Sequence, residues 1–206
     1  GTVVLVDTAD CCGGGAAGDS IEVLPDLIAL GESISSAMPV VDSAAADKCH
    51  EAGIGAVIEL QLGHQHDRKW GVPLHVSGEV LSLSDGKFIY AGGIWDGCEG
   101  NMGPAAVLKI SGVHVCIASF PTYEWCGEQY SAFALDVTRM KYIVAKNPMN
   151  YRMAFGHCCE HFLVLDTKGP TPATCKHLPY SHSLRPAFPW DSAIIDPIWV
   201  LGQNDF

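Results

Sequence analysis

A short apolar run, Val3 to Val6, leads into two acids, Asp7 and Asp10, and then into the loop Cys11-Cys12-Gly13-Gly14-Gly15-Ala16-Ala17-Gly18, which ends on Asp19-Ser20. This stretch constrains the fold more than any other. A buried strand that empties into glycines and then into a helix start belongs to an α/β sheet, where ligands bind beyond the carboxyl ends of strands. Glycines let the backbone turn with positive φ and approach a ligand closely. Asp7 and Asp10 beside such a loop suit a metal, a proton or an ammonium group. The competing reading is a tight strand-to-helix turn whose aspartates only cap backbone donors. The glycine order is not that of a dinucleotide fingerprint, and no Lys-Ser/Thr follows as in a phosphate-binding loop.

The remaining pattern supports α/β architecture. Asp19-Ser20-Ile21-Glu22 reads as a capping box for a helix running to Leu30 and closed by Gly31. Pro25 requires that this helix either begin later, with the proline in its first turn, or bend. Val40-Val41 reads as a strand, Asp42-Ser43 as the cap of a helix through Ala52, and Ala56 to Leu62 as a strand, with parallel pairing expected from the alternation. The middle third reads as antiparallel. His75 to Leu83 and Lys87 to Ala91 flank Asp85-Gly86 as one hairpin, and Ala105 to Ile110 and Val113 to Ser119 flank Ser111-Gly112 as another. The last third returns to α/β, with strands at 142–145 and 162–166, a helix at 150–159 and an irregular proline-rich tail from Gly169. The expected fold is a mixed sheet with flanking helices and an antiparallel, hairpin-rich middle section, as a single domain over residues 1–206.

Charge narrows the partners. With 23 acidic against 12 scattered basic residues and a net charge of -11, the chain does not suit nucleic acid. No stretch is apolar enough to cross a bilayer as a helix, and no signal peptide is evident. Nine cysteines, including the adjacent pairs Cys11-Cys12 and Cys158-Cys159, do not look like a disulfide framework. They read as reduced thiols, which points to the cytoplasm.

Three further clusters carry chemistry. His64, His66 and Asp67 follow a strand and could present metal ligands along one loop edge, or stand as a solvated polar loop. His157 and His161 lie one helical turn apart, but the intervening glutamate, Glu160, is misplaced for a zinc-protease helix. Lys146 and Arg152 bracket a strand end and a helix start, where cations suit a carboxylate or carbonyl oxygen, or internal salt bridges.

Taken in order, these pieces resemble the C-terminal domain of the microcystinase C (MlrC) family of metallopeptidases. The resemblance rests on Asp7-Thr8-Ala9-Asp10 with its glycine loop and Asp19-Ser20, on Ala52-Gly53-Ile54-Gly55, and on Gly71-Val72-Pro73-Leu74. It continues through Met102-Gly103-Pro104, Lys146 with Asn150-Tyr151-Arg152, Leu163 to Gly169, and Leu178 to Asp191. It implies a zinc-dependent peptidase or amide hydrolase acting on small or linearised peptides. Its zinc would be held mainly by an N-terminal domain absent from this chain, and would polarise the scissile carbonyl. The implied catalytic residues here are Asp7, Asp10, Lys146 and Arg152, with Gly13, Gly14, Gly15 and Asn150 binding substrate. The implied partners are a peptide and that N-terminal domain, with self-association also open. Alone, the chain is then expected to be inactive. Two departures stand out: Cys11-Cys12 occupies positions without thiols in the family, and Asn150 stands where a histidine is common. The alternatives are a non-catalytic binding or assembly module, or a domain that binds its own metal.

Overall fold

The computed structural model describes residues 1–122, 127–175, 178 and 180–182, apart from the side chain of Glu160. Gly1–Ala173 is one compact unit and Thr174–Phe206 a second. In the first unit, strands β1 (Thr2–Asp7), β2 (Ser36–Val41), β3 (Val57–Leu62), β4 (Leu74–Ser84), β7 (Ala105–Ile110), β8 (Val113–Ala118), β9 (Tyr142–Ala145) and β10 (Cys159–Leu165) form one sheet. Their order is β10-β1-β9-β2-β8-β7-β4-β3. The five strands from β10 to β8 run parallel, and β7, β4 and β3 each pair antiparallel with their neighbours. A small separate sheet pairs β5 (Lys87–Ile89) with β6 (Glu99–Asn101).

The central strands of the sheet are buried on both faces, while the edge strands β3 and β10 expose side chains such as Val57, Leu163 and Val164. Helices α1 (Leu24–Ala29) and α2 (Ser43–Ala52) cover one face through Leu24, Leu27, Ala45, Ala46 and Cys49, packed on Val40, Val115 and Ile117. The other face carries Tyr130 of α3 (Gly127–Ala132), Phe155 of α4 (Tyr151–Phe155), and Phe88 and Met102 from around the small sheet. This two-sided cover explains why the parallel strands read as continuous apolar runs rather than alternating ones. None of the described helices is long and apolar enough to cross a membrane.

Several local expectations are corrected. Asp19 caps no helix: α1 begins only at Leu24, with Pro25 in its first turn, where a missing N–H costs nothing. The strand before α2 starts at Ser36, not Val40, because Pro39 is tolerated there. Pairing of β2 with β9 ends at Ala37, so one edge of β2 is already unladdered when the proline is reached. β3 is antiparallel to β4, so the strand–helix–strand rhythm did not extend parallel pairing to it. Asp85-Gly86 joins no hairpin. β4 stays in the large sheet while β5 leaves it to pair with β6, because Gly86 (φ 73°) turns the chain against Gly103, whose carbonyl oxygen would lie 2.1 Å from any Cβ. The helix expected over 150–159 is only Tyr151–Phe155, because Cys159 already enters β10. By contrast, Asp42 caps α2 by accepting from Ala45 N at 3.0 Å, and Ser111 (φ 53°) makes the β7–β8 hairpin. The family-like residues from Arg185 onward lie outside the described residues.

Candidate functional site at the carboxyl ends of the parallel strands

Because β9 and β2 part beyond Ala37, their carboxyl ends leave a gap, and the glycine loop fills it. Val41 N donates to Gly18 O at 2.9 Å, so the loop completes the free edge of β2. Gly18 must be glycine: its φ is 79°, and a Cβ would lie 2.6 Å from Cys12 Sγ and 2.8 Å from Val41 Cγ2. The loop itself is a short 3₁₀ turn at Cys12–Gly14, closed by Gly14 N to Cys11 O and Gly15 N to Cys12 O, both 3.0 Å. Gly13, Gly14 and Gly15 form its exposed tip. Two of their N–H groups are therefore spent within the turn rather than offered to an anion. Burial pushes the Cys12 thiol up to about 11, so it remains protonated at neutral pH.

Behind the loop sits a buried ion pair. Lys146, at the end of β9, is fully buried and gives its three ammonium protons to Asp10 Oδ2 (2.8 Å), Gly18 O (2.9 Å) and Ser20 O (2.8 Å). Asp10 also accepts from Gly18 N through Oδ1 (2.9 Å) and from Ser20 N through Oδ2 (2.7 Å). Every charge-bearing atom is thus matched, as a buried pair requires. Asp10 and Lys146 are brought together, and what they do here is fix the loop.

Asp7 differs. It ends β1, is 1% exposed, and accepts through Oδ1 from Ala9 N and Thr167 Oγ1, while its Oδ2 has no partner among the described residues. The same is true of two neighbouring atoms, Thr8 Oγ1 and Asn147 Nδ2. The β1–β9 register sets Val6 opposite Ala145, so continuing it brings Thr8 level with Asn147. An acceptor, a hydroxyl and an amide donor therefore stand unmatched at adjacent strand ends. Buried polar groups are nearly always hydrogen-bonded, and such exceptions collect at functional sites. On the α1 face, the side on which Leu5 packs, a groove of about 430 Å³ runs between α1 and β1, β9 and β10. Leu5, Leu27 and Tyr142 line it together with Asp26, Asp166 and the same Thr167 that holds Asp7. Its size is that of a small-ligand cleft.

The histidine loop reaches the same rim. The Leu74–Gly78 half of β4 pairs only with β3, and this arm carries Leu60, Leu62 and Val76 onto the α2 side. Asp42 Oδ2 then accepts from Gly63 N (3.0 Å), and Asp19 Oδ2 from His66 N (2.7 Å) and Asp67 N (3.2 Å). Asp19, read from sequence as a helix cap, is a clamp between two loops. His64 is buried against Gly71, with Nδ1 unpartnered among the described residues, whereas His66 is exposed. The loop does not gather its side chains, and among the described residues no three His, Cys, Asp or Glu are arranged to hold a metal ion. The described side chains therefore offer no site that fits a zinc ion.

Arg152 stands apart from the Asp10–Lys146 pair. It is exposed on α4, with its guanidinium 5.3 Å from the Tyr151 ring centre and 5.2 Å from that of Phe162. Asn150 precedes α4 and donates its backbone N–H to Asn147 Oδ1 at 2.8 Å. Thr8 and Thr167 stand within the family-like motifs of the sequence, whereas Asn147 and Thr171 do not. Thr171 accepts from Cys11 N (3.1 Å) and donates to Thr8 O (2.7 Å), tying the chain after β10 across the loop. For Asn147 the sequence signal is its place just after a predicted strand; Thr171, five residues beyond the strand expected at 162–166, carries none.

A family model described as MlrC C-terminus matches residues 5–182. Microcystinase C from Sphingomonas sp. is 22% identical over 192 residues, which is 92% of this chain but 36% of that protein. The crystal structure of a Mesorhizobium sp. BNC1 protein named as a metallopeptidase superposes with a TM-score of 0.80 at 25% identity. It matches 92% of this chain and 38% of its own. The chain thus spans little more than a third of the length of these relatives.

Proposed function

This chain belongs to the MlrC C-terminus family, and we propose that it is the C-terminal part of a zinc-dependent peptidase or amide hydrolase for small or linearised peptides. In this reading it supplies one wall of the active site. The observation that carries the proposal is the unmatched carboxylate oxygen of Asp7, held at a strand end beside an acid-lined groove. A buried carboxylate oxygen without a donor is costly unless something outside the chain completes it. A peptide supplies the complement: its ammonium or amide N–H suits Asp7 Oδ2. Asp10 and Lys146 hold the loop that shapes this wall. Arg152, exposed on its aromatic platform, steadies a substrate carboxylate, and the Gly13–Gly15 tip and Asn150 border the substrate.

In this reading the zinc is held mainly by a companion N-terminal region; among the described residues no ligand set for it is assembled. Chain coverage of only 36% and 38% of the relatives supports a companion of that kind. The reduced cysteines favour a cytoplasmic setting. The test is to assay amide hydrolysis and zinc content of this chain alone and of a two-part protein carrying the companion region. Hydrolysis and zinc are expected only in the two-part protein; turnover by the isolated chain refutes the divided site.

A second reading, a non-catalytic assembly module, is favoured by the complete internal use of Lys146 and Asp10. It requires that substitution of Asp7 weaken association with the companion region while leaving turnover intact.

A further inference from the structure

Cys158 and Cys159 are consecutive, yet their sulfurs lie 3.6 Å apart. In an extended strand, successive side chains point to opposite faces. Here Cys158 closes the turn after α4 and Cys159 opens β10, so the two thiols converge on one point. Cys158 Sγ lies 3.4 Å from Phe155 O, to which it donates, and this fixes its rotamer. Cys158 is half-buried and Cys159 is 4% exposed, so the pair is reached through Cys158 and closed by Cys159. No disulfide joins the described cysteines.

We propose that Cys158 and Cys159 form a vicinal-dithiol site that captures trivalent arsenicals, an arsenoxide of the type R–As=O bridging both sulfurs. The step balances without any redox partner. Two S–H bonds and the As=O bond break, two As–S bonds form, both thiol protons leave with the oxygen as one water, and arsenic remains trivalent. The geometry suits a soft centre. With the sulfurs 3.6 Å apart, a single pyramidal trivalent atom can bond to both without moving the backbone.

The competing fates of the pair fit less well. Zinc requires both sulfurs as thiolates and further donors. Burial pushes the Cys159 thiol up to about 12, and no third ligand is assembled among the described residues. Condensation with an arsenoxide starts from neutral thiols and is not opposed in this way. A disulfide would require an oxidant and a contraction of the 3.6 Å separation to about 2.05 Å.

The probe is phenylarsine oxide, added to the native chain in the presence of excess monothiol. The expected product is one adduct per chain, with the mass of the reagent less one water, reversed by a 1,2-dithiol. Alkylation after denaturation, read by peptide mass, should show Cys158 and Cys159 both protected; this requires no substitution and so no refolded variant. C158S and C159S should each weaken capture by at least ~100-fold, the low end of what an intramolecular second bond contributes. C11S/C12S should retain it. Protection of Cys11 and Cys12 instead, an adduct that survives in both single variants, or no adduct in the presence of monothiol would each overturn the assignment.

Discussion

Replacing Lys146 by methionine isolates the part of the site that builds the loop. The side chain stays unbranched, one atom shorter, and loses its charge and its donors. Asp10 Oδ2 is then left with Ser20 N alone, and the carbonyls of Gly18 and Ser20 lose their shared donor. Removing one member of a buried ion pair costs about 3–5 kcal/mol, because the surviving charge stays out of water. The two backbone amides that still hold Asp10 keep the loss near the lower end, and the two orphaned carbonyls raise it. We therefore expect K146M to lose ~4 kcal/mol, a large share of the ~5–15 kcal/mol that stabilises an ordinary domain. Urea unfolding followed by circular dichroism measures this directly. The cycle with D10N tests the cause: D10N removes the stranded charge, so the double variant should be at least ~1 kcal/mol more stable than the two single losses summed, within the range of contacting pairs. A K146M loss below ~1 kcal/mol, or strict additivity, would show that Lys146 does not hold the loop through Asp10.

Three further outcomes are expected. D7N relieves an uncompensated carboxylate, so it should leave the stability of this chain within ~1 kcal/mol of the parent or raise it, while lowering turnover of the two-part protein; unchanged kcat and KM would remove Asp7 from the catalytic wall. G169A places a Cβ 2.1 Å from Ala9 O. It should cost ~1–3 kcal/mol and speed hydrogen exchange at Cys11 N as Thr171 is displaced, whereas an unaltered melt would mean that the chain after β10 adapts freely. Burial raises the thiol of fully buried Cys49 from 9.0 to about 11. Because the unfolded chain ionises first, stability is full below pH 9 and falls as pH rises towards 11. The loss reaches ~3 kcal/mol for a two-unit shift. C49A should flatten that alkaline slope in urea titrations at successive pH values, and an unchanged slope would assign it elsewhere.

Much of this architecture was legible in the chain. Apolar runs at Val3–Val6 and 142–145 are strands because parallel strands buried on both faces need no polar alternation. Asp42 announced α2, since a carboxylate before a helix satisfies an orphan amide whatever the surroundings. The local signals failed where long-range pairing decided. Asp85-Gly86 has hairpin chemistry, but β7 competes for the edge of β4 and wins it, so β5 pairs elsewhere. Asp19 and Glu22 match a capping box in spacing, yet Asp19 is taken by His66 and Asp67, forty-seven and forty-eight positions away, and Glu22 by Lys168 N.

The sequence by itself determined the glycine loop and its flanking acids, which depend on residue types at short spacing, and the family, which depends on the order of short motifs along the chain. Only the tertiary structure could divide the two aspartates. Asp10 meets a lysine 136 positions away and is neutralised, while Asp7, three residues earlier, keeps one buried oxygen unmatched. That difference arises from strand order, which places β9 beside β1, and nothing local to the loop encodes it.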